Sequence, residues 1–507
     1  MSSVETFGVI VLAAAVVCTV AVLSNRFSER LRIPAPAIFL ICAAVAAEFF
    51  PGLNTALSTV TVEDIVSIAL AIILFDGGMH IGWRRFRSAA GPIVWVGIVG
   101  TFLTTGAFAL LAHEVFGFGW LPALILGTAL APTDPAVVFS VLGRREVAGR
   151  TGTILEGESG VNDPVGIALM VSLLAATGTG ASFGGQAASV GVTFVVQMVV
   201  GAAIGIAGGI LLMYLMRRVA LPSEGLYALR TLAGALVLYG AATAAGGSGF
   251  LAVFVAGIVI GDGRAPYKRE IERFHSSLAS LAEIVAFIVL GLTINLDVLG
   301  SGGTWWIGLA LAALLGLLIR PVLVGLLLLP IRLRAGERIF VLWAGLKGAV
   351  PILLGTLVVV HSVPGAQRLY HVIFVVVAFS VVAQGALVPA IAGKLGVPMH
   401  TVEPEPWALG VRLQHEPEGV RSFVVARGSP ADGCAISDLP VGEDVWVSFV
   451  IRGGSLVQVR GETTLQAGDQ VMVLADPDLV PEIAKKFHEP ADRQTEDRGA
   501  GTEHGGG

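Results

Sequence analysis

Residues 127–138 read GTALAPTDPAVV, and the tetrapeptide Pro132-Thr133-Asp134-Pro135 inside that run decides how the chain folds. The surrounding stretch, about 118–142, is apolar and long enough to cross a bilayer as a helix. A proline has no amide hydrogen and its ring collides with the preceding turn. Two prolines three residues apart, with an acid between them, therefore unwind the helix near its middle. Backbone groups freed in this way persist in lipid only where protein encloses them or a cavity meets them. The run at 337–360 carries an interruption of the same kind, Gly345-Leu346-Lys347-Gly348-Ala349-Val350-Pro351. Two broken membrane helices at matching places point to one site near the bilayer midplane.

Outward from these two runs, the sequence reads as an all-α polytopic membrane protein. Hydrophobic residues are 55% of the 507 and charged ones only 14%, against roughly 25% charged in soluble domains. Those figures exclude a soluble globular enzyme, a disordered chain and a nucleic-acid binder. Thirteen apolar runs are long enough to span, at about 7–24, 35–50, 62–79, 91–112, 118–142, 152–175, 187–216, 225–244, 248–262, 278–297, 304–330, 337–360 and 369–393. Alternating the connections between two sides puts 19 Lys and Arg on one side and only Arg368 on the other, the asymmetry of a cytoplasmic and an outer face. The expected orientation is N-terminus outside and C-terminus in the cytoplasm. MSSVETFG at 1–8 lacks the basic region of a cleavable signal, and the first positive charge is Arg26. Thirteen spans divide as six, a linker and six of inverted topology, a common plan among secondary transporters.

Ionisable residues inside a span are costly and mark function by default. They fall at Asp76 in span 3, at Asp134 in span 5, and at Glu156, Glu158 and Asp163 with Ser159 and Asn162 in span 6. Lys347 lies in span 12. Each also has a plainer reading. Asp134 caps the second half of a broken helix, Asn162-Asp163-Pro164 is a turn between spans, Asp76 is a solvated interfacial acid, and Lys347 snorkels. Arg320 in span 11 reads as structural or snorkelling, and Glu283 as interfacial or functional. Within span 6, Ser159 and Asp163 are four residues apart and share a helix face, as do Glu158 and Asn162. Oxygen donors of this kind suit a hard alkali cation and not a transition metal. A carboxylate such as Asp163 holds either a cation or a proton, and competition for it in an alternating-access fold describes cation/proton exchange. No catalytic residue and no cofactor is expected; K⁺ (or Na⁺) and H⁺ are the cargo.

The strings ILFDGG (73–78), GTALAPTDPAVV (127–138), EGESGVNDPVGI (156–167), AEIVAFIVLGL (282–292) and WAGLKGAVPILLGT (343–356) together resemble the Asn-Asp branch of cation:proton antiporter family 1. The resemblance implies a core domain moving against a dimerisation domain, hence a homodimer. It implies Asp163 as the essential ion- and proton-binding carboxylate, with Asp134, the Thr133 backbone and Ser159 as supporting ligands of the monovalent cation and Asp76 as a nearby acid. Asn162 ahead of Asp163 implies electroneutral, one-for-one exchange. It also brings Glu158 to Lys347, and since an isolated charge there is costly, the two are expected to form a structural ion pair.

Residues 1–394 carry 23 Lys and Arg against 19 Asp and Glu, whereas 395–507 carry 9 against 18. The expected division is a transmembrane domain over 1–396, a small α+β cytoplasmic domain over 407–488 and a disordered tail over 489–507. Short apolar strands, a Gly468-Asp469 pair and a final helix at about 478–487 resemble the C-terminal domain of potassium-conductance regulators, which implies a possible small regulatory ligand. Cys18, Cys42 and Cys434 fit no disulfide framework or metal spacing. The expected function is K⁺/H⁺ antiport across a bacterial inner membrane, potassium resting on the regulatory domain. Na⁺/H⁺ antiport and a ligand-gated cation channel are the alternatives. Membrane lipid is a partner and nucleic acid is not.

Overall fold

A computed structural model describes residues 19–20, 22–23, 34–50, 52–53, 57–142, 145–147, 149–177, 183–296, 303–401, 420–439, 441, 445–475 and 479–488. The chain divides into two compact units, Met1–Pro406 and Trp407–Gly507. Most of the first expected span, 7–24, and the whole of the 489–507 tail lie outside the described residues.

The described part of the first unit is helical apart from one short strand pair. Its elements are α1 (Ala35–Phe49), α2 (Thr59–Val94), α3 (Gly100–Glu114), α4 (Trp120–Leu130), α5 (Pro135–Leu142), β1 (Arg145–Val147), α6 (Gly149–Thr177), α7 (Phe183–Arg218), α8 (Glu224–Ala244) and α9 (Gly249–Gly261). They continue with α10 (Lys268–Leu292), α11 (Thr304–Leu314), α12 (Arg320–Leu327), α13 (Ala335–Trp343), α14 (Ala349–Val360), α15 (Ala366–Phe379), α16 (Gly385–Lys394) and β2 (Met399–Thr401). β1 and β2 pair antiparallel, Arg145 opposite Thr401. Among the described residues, eight helical runs are long and apolar enough to cross a bilayer, and α1, α9 and α14 are shorter apolar helices.

Local chemistry sets several boundaries. The Ser58 hydroxyl accepts from the Thr61 amide at 3.1 Å and opens α2; Ser248 does the same for Leu251 at 3.2 Å and opens α9. Within α2 the chain turns at Gly82, which has φ 62°, a left-handed conformation that favours glycine. A Cβ there would sit 2.9 Å from the Asp262 carboxylate, which the Arg84 guanidinium holds at 3.6 Å. So α2 is two helices joined at a corner. Three single π-turns interrupt the later runs, at Trp95–Val99, Leu315–Ile319 and Ser380–Gln384. α7 and α8 expose large apolar side chains such as Val195, Val199, Ile206 and Val237, as a lipid-facing surface does. From Thr151 to Met170 every residue of α6 except the half-buried Glu156 is buried, so its other polar residues must be met by protein and not by solvent.

The second unit contains β3 (Val420–Val424), β4 (Trp446–Arg452), β5 (Ser455–Val457), β6 (Gln470–Leu474) and α17 (Val480–His488). The antiparallel sheet has the order β3-β6-β4-β5. Phe423, Val450, Val471, Val473, Ile483 and Phe487 form its core, with the Phe423 and Phe487 rings stacked 5.1 Å apart. The turn before β6 uses Gly468 at φ 92°, and the next residue, Asp469, receives Arg452 through two bonds, 2.8 Å from Nε and 2.7 Å from Nη2. That guanidinium, helped by the Gln466 amide, holds the Asp469 carboxyl below its ordinary value. A depressed folded-state pKa stabilises the fold above the unfolded value of about 4, and that contribution fades as pH falls through the folded value. Hydrogen exchange on the full chain should therefore show the 446–452 and 470–474 peptides losing protection below about pH 4. Asp469→Asn should lower protection at neutral pH and flatten that acid dependence; an unchanged acid profile in the variant would remove Asp469 from this role.

Candidate functional site: two crossed helix breaks around Asp163

The two breaks expected from sequence lie against each other. α4 ends at Leu130 and α5 begins at Pro135; α13 ends at Trp343 and α14 begins at Ala349. The Asp134 amide donates to the Leu346 carbonyl at 2.8 Å, tying one break directly to the other. Gly348 faces Asp134 so closely that any Cβ would overlap the carboxylate. Asp134 accepts from the Ala136 amide at 2.8 Å, so it does cap α5, and the Val137 and Ala349 amides also face it. The N-termini of both second half-helices are thus directed at one acid, with their positive dipole ends.

α6 passes beside this crossing and continues as helix through Pro164, so Asn162-Asp163-Pro164 lies inside a span and is not a turn. Asn162 bridges to the break in both directions. Its Nδ2 donates to the Thr133 hydroxyl at 2.8 Å and its Oδ1 accepts from the Thr133 amide at 3.3 Å. The Ser159 hydroxyl donates to Asp163 Oδ2 at 3.4 Å, as the four-residue spacing allows. Asp163 Oδ1 is buried with no hydrogen-bond partner, and Asp134 and Lys347 are the charged groups that act on this carboxyl. The structure thus gathers Thr133, Asp134, Ser159, Asn162 and Asp163 at one place.

Asp76 is not joined to them by a hydrogen bond. It sits on α2 with its Oδ2 3.3 Å from His80 Nδ1 and its Oδ1 receiving the Ser276 hydroxyl at 3.4 Å, a separate polar group.

The expected ion pair between Glu158 and Lys347 is not formed. Glu158 is paired with Arg320 at 2.9 Å, both side chains almost fully buried. Lys347 instead donates from Nζ to the Ala131 and Pro132 carbonyls at 3.1 and 2.9 Å, while its amide donates to the Ser380 hydroxyl at 3.0 Å. The reason is backbone satisfaction. A helix ending inside a membrane leaves carbonyls without donors and a negative dipole end, and an ammonium answers both. Arg320 does the same for the other first half-helix, donating to Leu342 O at 3.0 Å and Val341 O at 3.3 Å at the end of α13. Its planar guanidinium presents five N–H donors in fixed directions, and here it bonds the Glu158 carboxylate and the two carbonyls together.

Sequence reasoning also underweighted Glu283. The residue is half-buried, its Oε1 is buried without a hydrogen-bond partner, and Asp134 acts on it electrostatically. The signal available was an acid inside the AEIVAFIVLGL run. Among the described residues no group of three His, Cys, Asp or Glu has the geometry of a metal centre. The donors around Asp163 are hydroxyl, amide and carboxylate oxygens.

A transmembrane family described as the sodium/hydrogen exchanger matches residues 12–394, and the TrkA-C domain family matches residues 420–488. The chain belongs to the sodium/hydrogen exchanger family. It is 33% identical over 499 residues to the K(+)/H(+) antiporter NhaP of Alkalimonas amylolytica, covering 97% of this chain and 85% of that protein. It is 33% identical over 488 residues to the K(+)/H(+) antiporter NhaP2 of Shewanella oneidensis, covering 94% and 83%. The Na(+)/H(+) antiporter ApNhaP of Aphanothece halophytica is 30% identical over 354 residues, 66% of this chain and 65% of that protein. Among solved structures, the sodium proton antiporter MjNhaP1 from Methanocaldococcus jannaschii at pH 8 shares the fold, with a TM-score of 0.64, 20% identity, and coverage of 77% of this chain and 99% of that one. The crossed breaks and the enclosed α6 of this exchanger-family chain are therefore the parts from which its transport chemistry is to be read.

Proposed function

We propose that this chain exchanges K⁺ for H⁺ across a bacterial inner membrane, one for one, by alternating access to Asp163. The observation that carries the proposal is the buried Asp163 oxygen without a partner, beside a second acid and a Thr133-Asn162 bridge. A membrane-enclosed carboxylate is stable either protonated or with a cation beside it, so the two cargoes exclude each other. Asp163 binds in both cases. Ser159 and the Asp134 carboxylate supply further oxygens, Asn162 shapes the Thr133 break, and Lys347 with Arg320 hold the half-helix ends. Asp76, with His80 and Ser276, serves as an outlying acid on the cation's route.

Potassium is favoured over sodium by the names of the relatives that match nearly the whole chain and by the TrkA-C match at 420–488. The proposal takes 1–396 as a unit of thirteen spans in two inverted halves, N-terminus outside, working as a homodimer, and takes 407–488 as a cytoplasmic domain open to a small regulatory ligand. The run Thr59–Glu114, cornered at Gly82, supplies two of those spans.

The test uses proteoliposomes with a pH dye inside. K⁺ should drive proton movement at lower concentration than Na⁺, and an imposed membrane potential should leave the rate nearly unchanged. A steep rise with potential would mean a second titrating acid, and Glu283→Gln, beside Asp134, is then the first variant to examine. Sodium activity equal to or above potassium activity would move the chain to the Na⁺/H⁺ reading; conduction without proton coupling would make it a channel.

A further inference from the structure

A cavity of about 510 Å³ opens where three helix ends meet, lined by Gly91, Pro92, Trp95, Arg150, Pro330 and Arg332 among others. Pro92 and Trp95 lie past the Gly82 corner, Arg150 is the second residue of α6, and Arg332 follows α12. All three ends are on the side to which the Lys and Arg distribution assigns the cytoplasm. Both guanidiniums are exposed and neither has a hydrogen-bond or ion-pair partner among the described residues. Among the described residues no carboxylate lines the cavity. Trp95 is 46% exposed beside it, as an aromatic ring at the headgroup level is.

The charge arrangement is unusual for two helices that are bonded elsewhere. Deeper in the membrane α6 and α12 are drawn together by Glu158 and Arg320. At their ends they bring two exposed like charges to one cavity, a local positive potential that attracts an anion. Guanidiniums grip phosphate through paired N–H groups. Basic pockets between spans on the cytoplasmic side are suited to anionic headgroups.

We propose that this cavity holds the phosphodiester headgroup of an anionic phospholipid of the inner leaflet, bridged between Arg150 and Arg332, with Trp95 against its glycerol region. The lipid fastens the entrance of α6, which carries Asp163, to the end of α12, which carries Arg320. The site is separate from the transport reading, and its test reads lipid and not ion flux.

The experiment is native mass spectrometry of the full-length protein in detergent with phosphatidylglycerol, with phosphatidylcholine, and with phosphatidylglycerol plus millimolar inorganic phosphate. The wild type should retain phosphatidylglycerol and shed phosphatidylcholine, and inorganic phosphate should not displace the lipid. Arg150→Gln with Arg332→Gln should cut retention by about tenfold, in line with the loss of charge-assisted bonds. Arg85→Gln with Arg87→Gln, which removes equal charge at residues that do not line the cavity, should leave retention unchanged. Equal retention by the cavity variant, equal loss in the control, or displacement by inorganic phosphate would each overturn the proposal, the last in favour of a small-anion site. A second measurement leaves the arginines intact. Brominated phosphatidylglycerol should quench tryptophan fluorescence more than brominated phosphatidylcholine does, and Trp95→Phe should abolish the excess; an excess that survives Trp95→Phe places the lipid elsewhere.

Discussion

Asp163→Asn should abolish cation-dependent proton flux, to the background of empty vesicles, while the protein still inserts and purifies intact. The substitution keeps the shape of the side chain and its neighbours. Ser159 can still donate to the Asn oxygen, and the Thr133-Asn162 bridge is untouched, so the fold is not the casualty. What disappears is the only property exchange needs, a group that is either protonated or charged. Because the site is buried, no water replaces the lost carboxylate at the bound cation. Dye-loaded vesicles read the flux, and the melting profile in detergent reads the fold. Residual exchange above about a tenth of wild type would take Asp163 out of the centre of the proposed mechanism, since a lost shared ligand costs many times the 1.4 kcal/mol that a tenfold change represents.

The largest stability effects are expected at Glu158 and Arg320. The pair is buried at 2.9 Å, and removing one partner of a buried pair leaves an uncompensated charge at a cost of about 3–5 kcal/mol. Arg320→Gln should be the worse single change, because it also strips donors from the Val341 and Leu342 carbonyls. Glu158→Gln combined with Arg320→Gln should melt well above the sum of the single losses, as partners do in a double-mutant cycle. Glu158→Gln combined with Lys347→Gln should show no such recovery. If that second combination recovers and the first does not, the pairing seen here is not the one that holds the helices in the working protein.

How much of this was legible beforehand depended on the range of the interaction. The helix breaks were readable because proline acts on its own chain within a turn, as at Pro132 and Pro135. The Ser159-Asp163 contact was readable because four residues of helix fix it. The capping of α5 by Asp134 was readable as one of two compatible readings. The partner of Glu158 was not, for two physical reasons. The π-turn at Leu315–Ile319 advances the helix phase just ahead of Arg320, and no residue type announces a π-turn. Lys347 is diverted by carbonyls that become available only once α4 stops at Leu130. Ser380, which receives the Lys347 amide, likewise opens a π-turn in a run that reads as plain apolar helix. Enclosure of the Glu283 Oε1 was hidden because a position near the end of a span gives no depth when helix tilt is unknown.

The Lys347 bond to Ala131 has a consequence for biosynthesis. The two residues are 216 positions apart, so at about 5–20 residues per second the ribosome delivers the ammonium roughly 10–40 s after the carbonyl. For that interval the end of α4 has neither its cation nor the Leu346 carbonyl that later accepts from Asp134. The first half of the protein therefore waits in an incomplete state, with polar backbone open to lipid-embedded chaperones and proteases. Chains that stop before the twelfth run should therefore be cleared from the membrane faster than full-length ones, a difference a pulse-chase would read.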